Sequence, residues 1–484
     1  MRRISLSLAL VVTCLLVLAA CGGKSKSSSA SSNSGSGIAG AEIAPASATS
    51  FASINTDSSS AQWKQVMALM AKVPALQSSV NDSLSSSGIT LADVESALGP
   101  TTDVVEFGTS ANPTEVFFTN PKDPATLKSL LAKDKSQKSV TDEINGWVMV
   151  AKSQAALAEF KTAVASGKLS DDSAFKTATK GLPADALVKA YLKGSAINSS
   201  ALSSLSSSSA SKTLEKAMSK SPVDWMTLAA SAVPKGLSID GVVKSKTNAS
   251  NSSLSLVDAL PSGASFAVDF NGASLGLDKG VKNLLSSSKN ASQVAQVEAA
   301  LGIKSSDLVS LAGSEMSVYA TGSGIGILIK AADATATKSM LDKAVTLLSS
   351  QLNGSSKTTT VGGVQATELT FGTTTLYYGV KDGNLFIVTD ASALPGNAKL
   401  SSDPGYKAAA AELSIPSSNL GVAYIDFAKL AALSKSGSSV IKSLGSSSGV
   451  NANMSNLEGL SSLLGYATAN GDKIEFKGLL STTG

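Results

Sequence analysis

Val364-Gln-Ala-Thr-Glu-Leu-Thr-Phe371 and Thr375-Leu-Tyr-Tyr-Gly-Val380 stand on either side of Gly372 and its threonines. Each alternates apolar and polar positions and is rich in β-branched or aromatic residues, which predicts two strands joined as a hairpin. Helical patterns between strands elsewhere would suit a parallel α/β sheet. Hairpin-like pairs recur, however, and no Gly-rich phosphate turn follows a strand. The predicted class is therefore α+β, with antiparallel sheets packed against short helices.

Outward from this hairpin the chain resembles itself, which predicts two tandem related copies. Pro45 to Ile54 (PASATSFASI) resembles Pro261 to Phe270 (PSGASFAVDF). Asp93 to Gly99 matches Asp307 to Gly313, and Asp123 to Leu131 matches Asp333 to Leu341. Leu169 to Lys176 aligns with Leu400 to Lys407, Pro183 to Tyr191 with Pro416 to Tyr424, and Ile239 to Val243 with Phe476 to Leu480. The offset then predicts about 27 extra residues in the second copy, the hairpin among them, with most of that pair lost from the first. The expected boundaries are a first copy over 42–246, a linker over 247–253 in a Ser/Asn-rich join, and a second copy over 254–484.

Local signals fill in the elements. The segments around Phe51 and Phe266 read as strands. Trp63, Val66, Met67, Met70 and Val73 fall on one helical face. Thr90 and Asp93 have capping-box spacing for a short helix that Gly99 is expected to end. Glu115 to Thr119 reads as a strand, and Asp123 with Pro124 opens a helix whose Leu127, Leu130 and Leu131 face the core. Trp147 to Val150 and Leu385 to Val388 read as short strands that run into caps at Ser153 and Asp390.

The amino terminus carries a different message. Arg2 and Arg3 precede an apolar run from Ile4 to Ala20, the pattern of a secretory signal over 1–20, too short for a membrane span. It closes on Leu18-Ala19-Ala20-Cys21, which resembles the lipobox of bacterial lipoproteins. That resemblance implies a diacylglyceryl thioether on Cys21, cleavage after Ala20, and an extracytoplasmic, envelope-anchored protein whose membrane partner is reached through the lipid. Cys14 leaves with the signal, so the mature chain has no disulfide. Residues 21–41, lipidated Cys21 and GGKSKSSSASSNSGSGIAG after it, read as a Ser/Gly tether with a root-mean-square span of about 25 Å.

Composition narrows the chemistry. Arg2, Arg3, Lys24 and Lys26 account for the whole net charge of +4, leaving 36 basic groups against 36 acidic ones from residue 27 onward. Such a balance gives no electrostatic footprint for nucleic acid. The sequence has no histidine and no arginine after Arg3. Imidazole bases, Cys-His or Ser-His-Asp nucleophiles, histidine-ligated metals and arginine clamps are thereby excluded. No calcium loop pattern is found, and no cofactor or metal is expected.

A few motifs remain. Ser209-Ala-Ser-Lys212 and Ser286-Ser-Ser-Lys289 fit S-x-x-K, which would put a lysine base beside a serine one helical turn away. Neither partner motif of the penicillin-recognising enzymes accompanies them, and serine-rich loops give the tetrad by chance. Gly322-Ser-Gly324-Ile-Gly326 lacks dinucleotide-loop spacing and reads as a turn. Asp171 and Asp172 read as polar loop, and Tyr191 and Tyr424 as core aromatics at matching places. The sequons at Asn198 and Asn248 follow from Ser/Asn richness.

Pro45…Phe51-Ala-Ser-Ile-Asn-Thr-Asp57, Gln62-Trp63-Lys64-Gln65, Leu98-Gly99 running into Thr102-Asp103-Val104-Val105, and Leu182-Pro183-Ala184-Asp185…Tyr191 together resemble a bacterial family known as domain of unknown function 3352. The resemblance covers most of residues 44 to 480. It implies domain extent and brings neither catalytic residues nor a ligand. The expected function is a non-catalytic binding or scaffolding module for a protein, glycan or lipid. The alternatives are a lipid or amphiphile carrier with an apolar cavity, and a Ser/Lys hydrolase.

Overall fold

In a computed structural model the described residues are 38–483, apart from 74–76, 79–81, 83–84, 86–89, 110–111, 134–138, 197–222, 246–248, 287–294, 297, 300–301, 323, 352–353, 373, 397 and 436–458. The chain divides into two compact units. The first is Met1–Thr247 with Asn456–Gly459 and Leu480–Gly484, and the second is Asn248–Ser455 with Leu460–Leu479. The closing residues 480–484 thus group with the first unit and not with the second, where the sequence had put them.

The first unit opens on a 3-10 turn, Ala39–Glu42, and then β1 (Ser50–Asn55). Helix α1 (Ala61–Met70) follows, capped by Ser60; Trp63, Val66, Met70 and, just beyond it, Val73 are buried as foretold, whereas Met67 is half-buried and Leu69 is buried in addition. Helix α2 (Leu91–Ala97) has the Thr90–Asp93 capping box. After it come β2 (Thr101–Thr109), β3 (Asn112–Thr119), α3 (Pro124–Lys133), β4 (Val140–Ile144) and β5 (Trp147–Ala151). Then follow α4 (Gln154–Ala165), α5 (Ser173–Thr179), β6 (Val188–Lys193), β7 (Val223–Val233) and β8 (Gly236–Ser245). All pairings are antiparallel, in the order β8-β7-β6-β1-β2-β3-β5-β4. Its core is aromatic: Phe51, Phe118, Phe160, Phe175 and Tyr191 pack edge-on or tilted, with ring centroids 5.2–6.4 Å apart.

The second unit holds β9 (Ala264–Asn271), α6 (Leu277–Ser286), α7 (Ser305–Gly313), β10 (Glu315–Thr321), β11 (Gly324–Lys330) and α8 (Ala334–Gln351). Next are β12 (Ser355–Val361), β13 (Val364–Phe371), β14 (Thr374–Lys381), β15 (Asn384–Val388), α9 (Pro404–Leu413), β16 (Gly421–Asp426), α10 (Phe427–Lys435) and β17 (Leu460–Asn470). These strands also pair antiparallel throughout, as β17-β16-β9-β10-β11-β15-β14-β13-β12. The protein is α+β with extensive antiparallel sheet, and the alternative of a parallel sheet is set aside.

Four expectations need correction. The tether does not extend to residue 41, because Ile38 and Ala41 are buried in the first core and the turn they belong to is folded. The linker does not extend to residue 253: Ser252 exchanges backbone hydrogen bonds with Asn419, and Asn251 bonds Ala469 through its side chain. Gly99 does not end α2 by a left-handed turn. The helix stops at Ala97 with Leu98 extended, and Gly99 is needed because a Cβ there would lie 2.1 Å from the carbonyl oxygen of Asn120. Finally, β13 and β14 do form the foretold hairpin, with Gly372 at φ +57°. Yet β14 pairs with β15 as β4 pairs with β5, so the strands without a counterpart in the first unit are β12 and β13. Strand β12, mostly exposed Ser, Thr and Lys, gave no apolar alternation to read. Val345 of α8, Leu369 and Tyr378 bury together beneath this addition.

Candidate functional site

The residues expected to carry the anchor, Leu18, Ala19, Ala20 and Cys21, lie outside the described residues, as do Ser209, Lys212, Lys289, Asn198 and Asn248. Ser286 is described: it is exposed at the end of α6, its hydroxyl donating to the Asn283 carbonyl at 3.5 Å. Gly322, at φ +48°, is a turn residue after β10, whereas Gly324 and Gly326 belong to β11 and pair with Thr321 and Tyr319.

Of the residues chosen from sequence, Asp171 is exposed at the end of the 3-10 turn Leu169–Asp171, whereas Asp172 and the two tyrosines are occupied structurally. Asp172 accepts the backbone N–H groups of Ala174 and Phe175 at the start of α5, and Lys193 stands 3.5 Å away. Asp403 does the same for Gly405 and Tyr406 of α9, with Lys429 at 2.8 Å. A carboxylate placed so complements both the orphan N–H groups and the positive helix end. Lys193 also donates to the Ala46 carbonyl and Lys429 to that of Ser262, each at 2.8 Å. Behind these caps Tyr191 packs on Phe175 and Tyr424 on Tyr406, at 85° and 75° between ring planes. Both tyrosines are core, as expected.

A buried pair escaped the sequence reading. Asp103 of β2 lies across from Ser53 of β1, and Asp269 of β9 lies across from Ser317 of β10. All four are buried. Burial raises the Asp103 carboxyl to about 7, offset only in part by the Ser53 hydroxyl, and neither of its oxygens has a partner in hydrogen-bonding geometry. Gly40 of the first turn packs on it so closely that a Cβ would fall 2.2 Å from Oδ2. Burial likewise raises Asp269 to about 7; Ser317 counteracts this and the nearby Glu315 carboxylate adds to it. Asp269 accepts the Val257 N–H at 3.1 Å, and Glu315 accepts those of Ser255 and Leu256. The sequence signal was a lone Asp in each of two apolar strands, which burial alone distinguishes from an edge residue.

Two surface clefts lie among the described residues. One, of about 490 Å³, is lined by Phe107, Gly108, Glu159 and Thr162 among others; Glu159 there accepts the Thr114 hydroxyl at 2.8 Å. The other, of about 250 Å³, includes Asp307 and Asp333, which serve as caps for α7 and α8. Among the described residues no three acidic or sulfur ligands gather as a metal site, and no helix is long and apolar enough to cross a membrane.

The family described as "Protein of unknown function (DUF3352)" matches residues 125–462. The chain belongs to this family. DUF3352 membership agrees with the resemblance read from the sequence and carries no activity with it. No curated protein matches the chain. Among solved structures, crystal forms III and I of TP0453 align at TM-scores of 0.25 and 0.24, with 12% and 11% identity, over 44% of this chain and 80% of theirs. At such scores the likeness carries no argument here.

Proposed function

We propose that this DUF3352 member is an envelope lipoprotein, anchored through Cys21 on the extracytoplasmic face of a membrane. Its body is a non-catalytic binding or scaffolding module made of two duplicated copies. The observation that carries the reading is the employment of its chemically capable side chains in packing and capping, at matching places in both units. Support for duplication comes from hydrogen bonds as well as sequence. The Ala44 and Leu260 carbonyls accept from Leu169 and Leu400. Pro45 bridges Lys168 as Pro261 bridges Lys399.

Filled aromatic interiors favour a scaffold over a lipid carrier, since a carrier needs strand-lined empty volume. Two acyl chains on one cysteine suffice for stable attachment. The test is direct. Radiolabelled palmitate is expected in the native chain and lost in Cys21→Ser, which should leave the membrane fraction. Retention of Cys21→Ser at the native level would end the anchor reading. Labelling of any serine by a fluorophosphonate probe would end the non-catalytic one.

A further inference from the structure

Among the described residues, the large hydrophobic side chains left exposed are Leu275, Leu277 and Leu284, at 50%, 40% and 57%, all on or just before α6. On a 3.6-residue period Leu277, Val281, Leu284 and Leu285 share one face, while Lys279, Lys282 and Asn283 occupy the other. The helix packs against α7 along the side that bears Asp278, Val281 and Leu285, which are half-buried. Its exposed surface therefore presents two leucines on one side and two ammonium groups on the opposite, polar side. The one acid of the helix, Asp278, is turned inward, its Cβ within 3.4 Å of where a side chain on Gly313 would begin.

We infer that α6 is an interfacial helix that seats its leucines in the headgroup region of an anionic bilayer. The occupant follows from charge and shape. An apolar leucine face opposed by a lysine-bearing polar face, without an exposed carboxylate on the helix, suits acyl chains bordered by phosphate and is the composition of helices that lie in a membrane surface. The inference deepens the lipoprotein reading, since it gives the anchored body a second membrane contact. It does not depend on that anchor.

The test uses the full chain with Cys14→Ser and Cys21→Ser, which removes both native cysteines, and Gly280→Cys to carry an environment-sensitive fluorophore. A side chain at Gly280 meets nothing within 4 Å, and on the helical wheel the position neighbours Leu284 on the side away from Val281 and Leu285. Vesicles of equal parts phosphatidylglycerol and phosphatidylethanolamine are expected to shift the label to the blue, and phosphatidylcholine vesicles much less. Leu277→Ser with Leu284→Ser should weaken this binding about tenfold. Reversing Lys279 or Lys282 to Glu should weaken it about fivefold each, with less effect at high salt. An unchanged label on anionic vesicles overturns the inference even if the chain binds them elsewhere. So does a blue shift that arises without vesicles and disappears on dilution, which would make a second copy of the chain the occupant. Palmitate incorporation at Cys21 is read separately, so failure of the anchor and failure of the helix remain distinct.

Discussion

Each unit has one buried row across its sheet, and the two rows differ in where the acid stands. In the first unit the row runs Lys189, Ser53, Asp103, Phe118; in the second, Val422, Asp269, Ser317, Leu328. Phe51 faces Tyr191 and Ala267 faces Tyr424, so Ser53 and Asp269, two residues further on, take the same place. The acid stands on the second strand of the first unit and on the first strand of the second, with the hydroxyl opposite it each time. The turn before the first strand accounts for the difference. In the second unit it offers the Val257 N–H to Asp269, so the acid sits on β9. In the first it offers only the space of a glycine, and Asp103 fills it from β2. A buried acid is tolerated wherever the neighbouring backbone supplies either a donor or room for the neutral form.

The comparison can be broken most strongly by pH. A carboxyl raised to about 7 when folded but ordinary when unfolded holds more protons in the native state between those values. Its favourable contribution is present in full below about pH 4 and is lost as pH rises through 7, by up to about 4 kcal/mol. Urea unfolding of Asp103→Asn is expected to flatten that decline. Lys189, buried beside Ser53 and bonded to the Ala184 carbonyl, should leave the sign unchanged.

Next in size is Ser53→Asp, which sets a second acid against Asp103 and should cost about 3 kcal/mol at pH 8. Adding Asp103→Ser, which reproduces the second unit's order, should recover most of it. A double-mutant cycle showing simple additivity would dismiss the exchange as accidental. Gly40→Ala should cost about 2 kcal/mol by overpacking against Asp103, and less when Asp103→Ser accompanies it. Smallest is the capping pair. Lys429→Met loses contacts with Asp403 at 2.8 Å and Asp426 at 3.2 Å and should cost about 1.5 kcal/mol, whereas Lys193→Met, facing Asp172 at 3.5 Å, should cost about 0.5 kcal/mol. Local hydrogen exchange at the starts of α9 and α5 reads the difference.

Local chemistry was legible where it is local. The Thr90–Asp93 box, the caps at Asp123, Ser153 and Asp390, and the Trp63 face needed only neighbours in sequence. Even there the outcome diverged: Ser153 opens the twelve-residue α4, while Asp390 opens only a 3-10 turn, Ala391–Ala393. Strand β12 was missed because a solvent-facing edge of Ser, Thr and Lys has no apolar rhythm, and its pairing with β13 is what makes it a strand. Gly99 was misread for the same reason. Its constraint is the approach of Asn120 across the sheet, not its own dihedral angles.

By itself the sequence determined the elements with strong periodicity and the narrowness of a palette without histidine. Those properties reside in spacing and composition, which no folding step alters. Tertiary structure alone decided that two aspartates would lose their water, that lysines from different positions would meet the same carbonyl in each unit, and that leucines on one short helix would stay exposed. Solvation belongs to a residue's surroundings, and surroundings exist only once distant strands have paired.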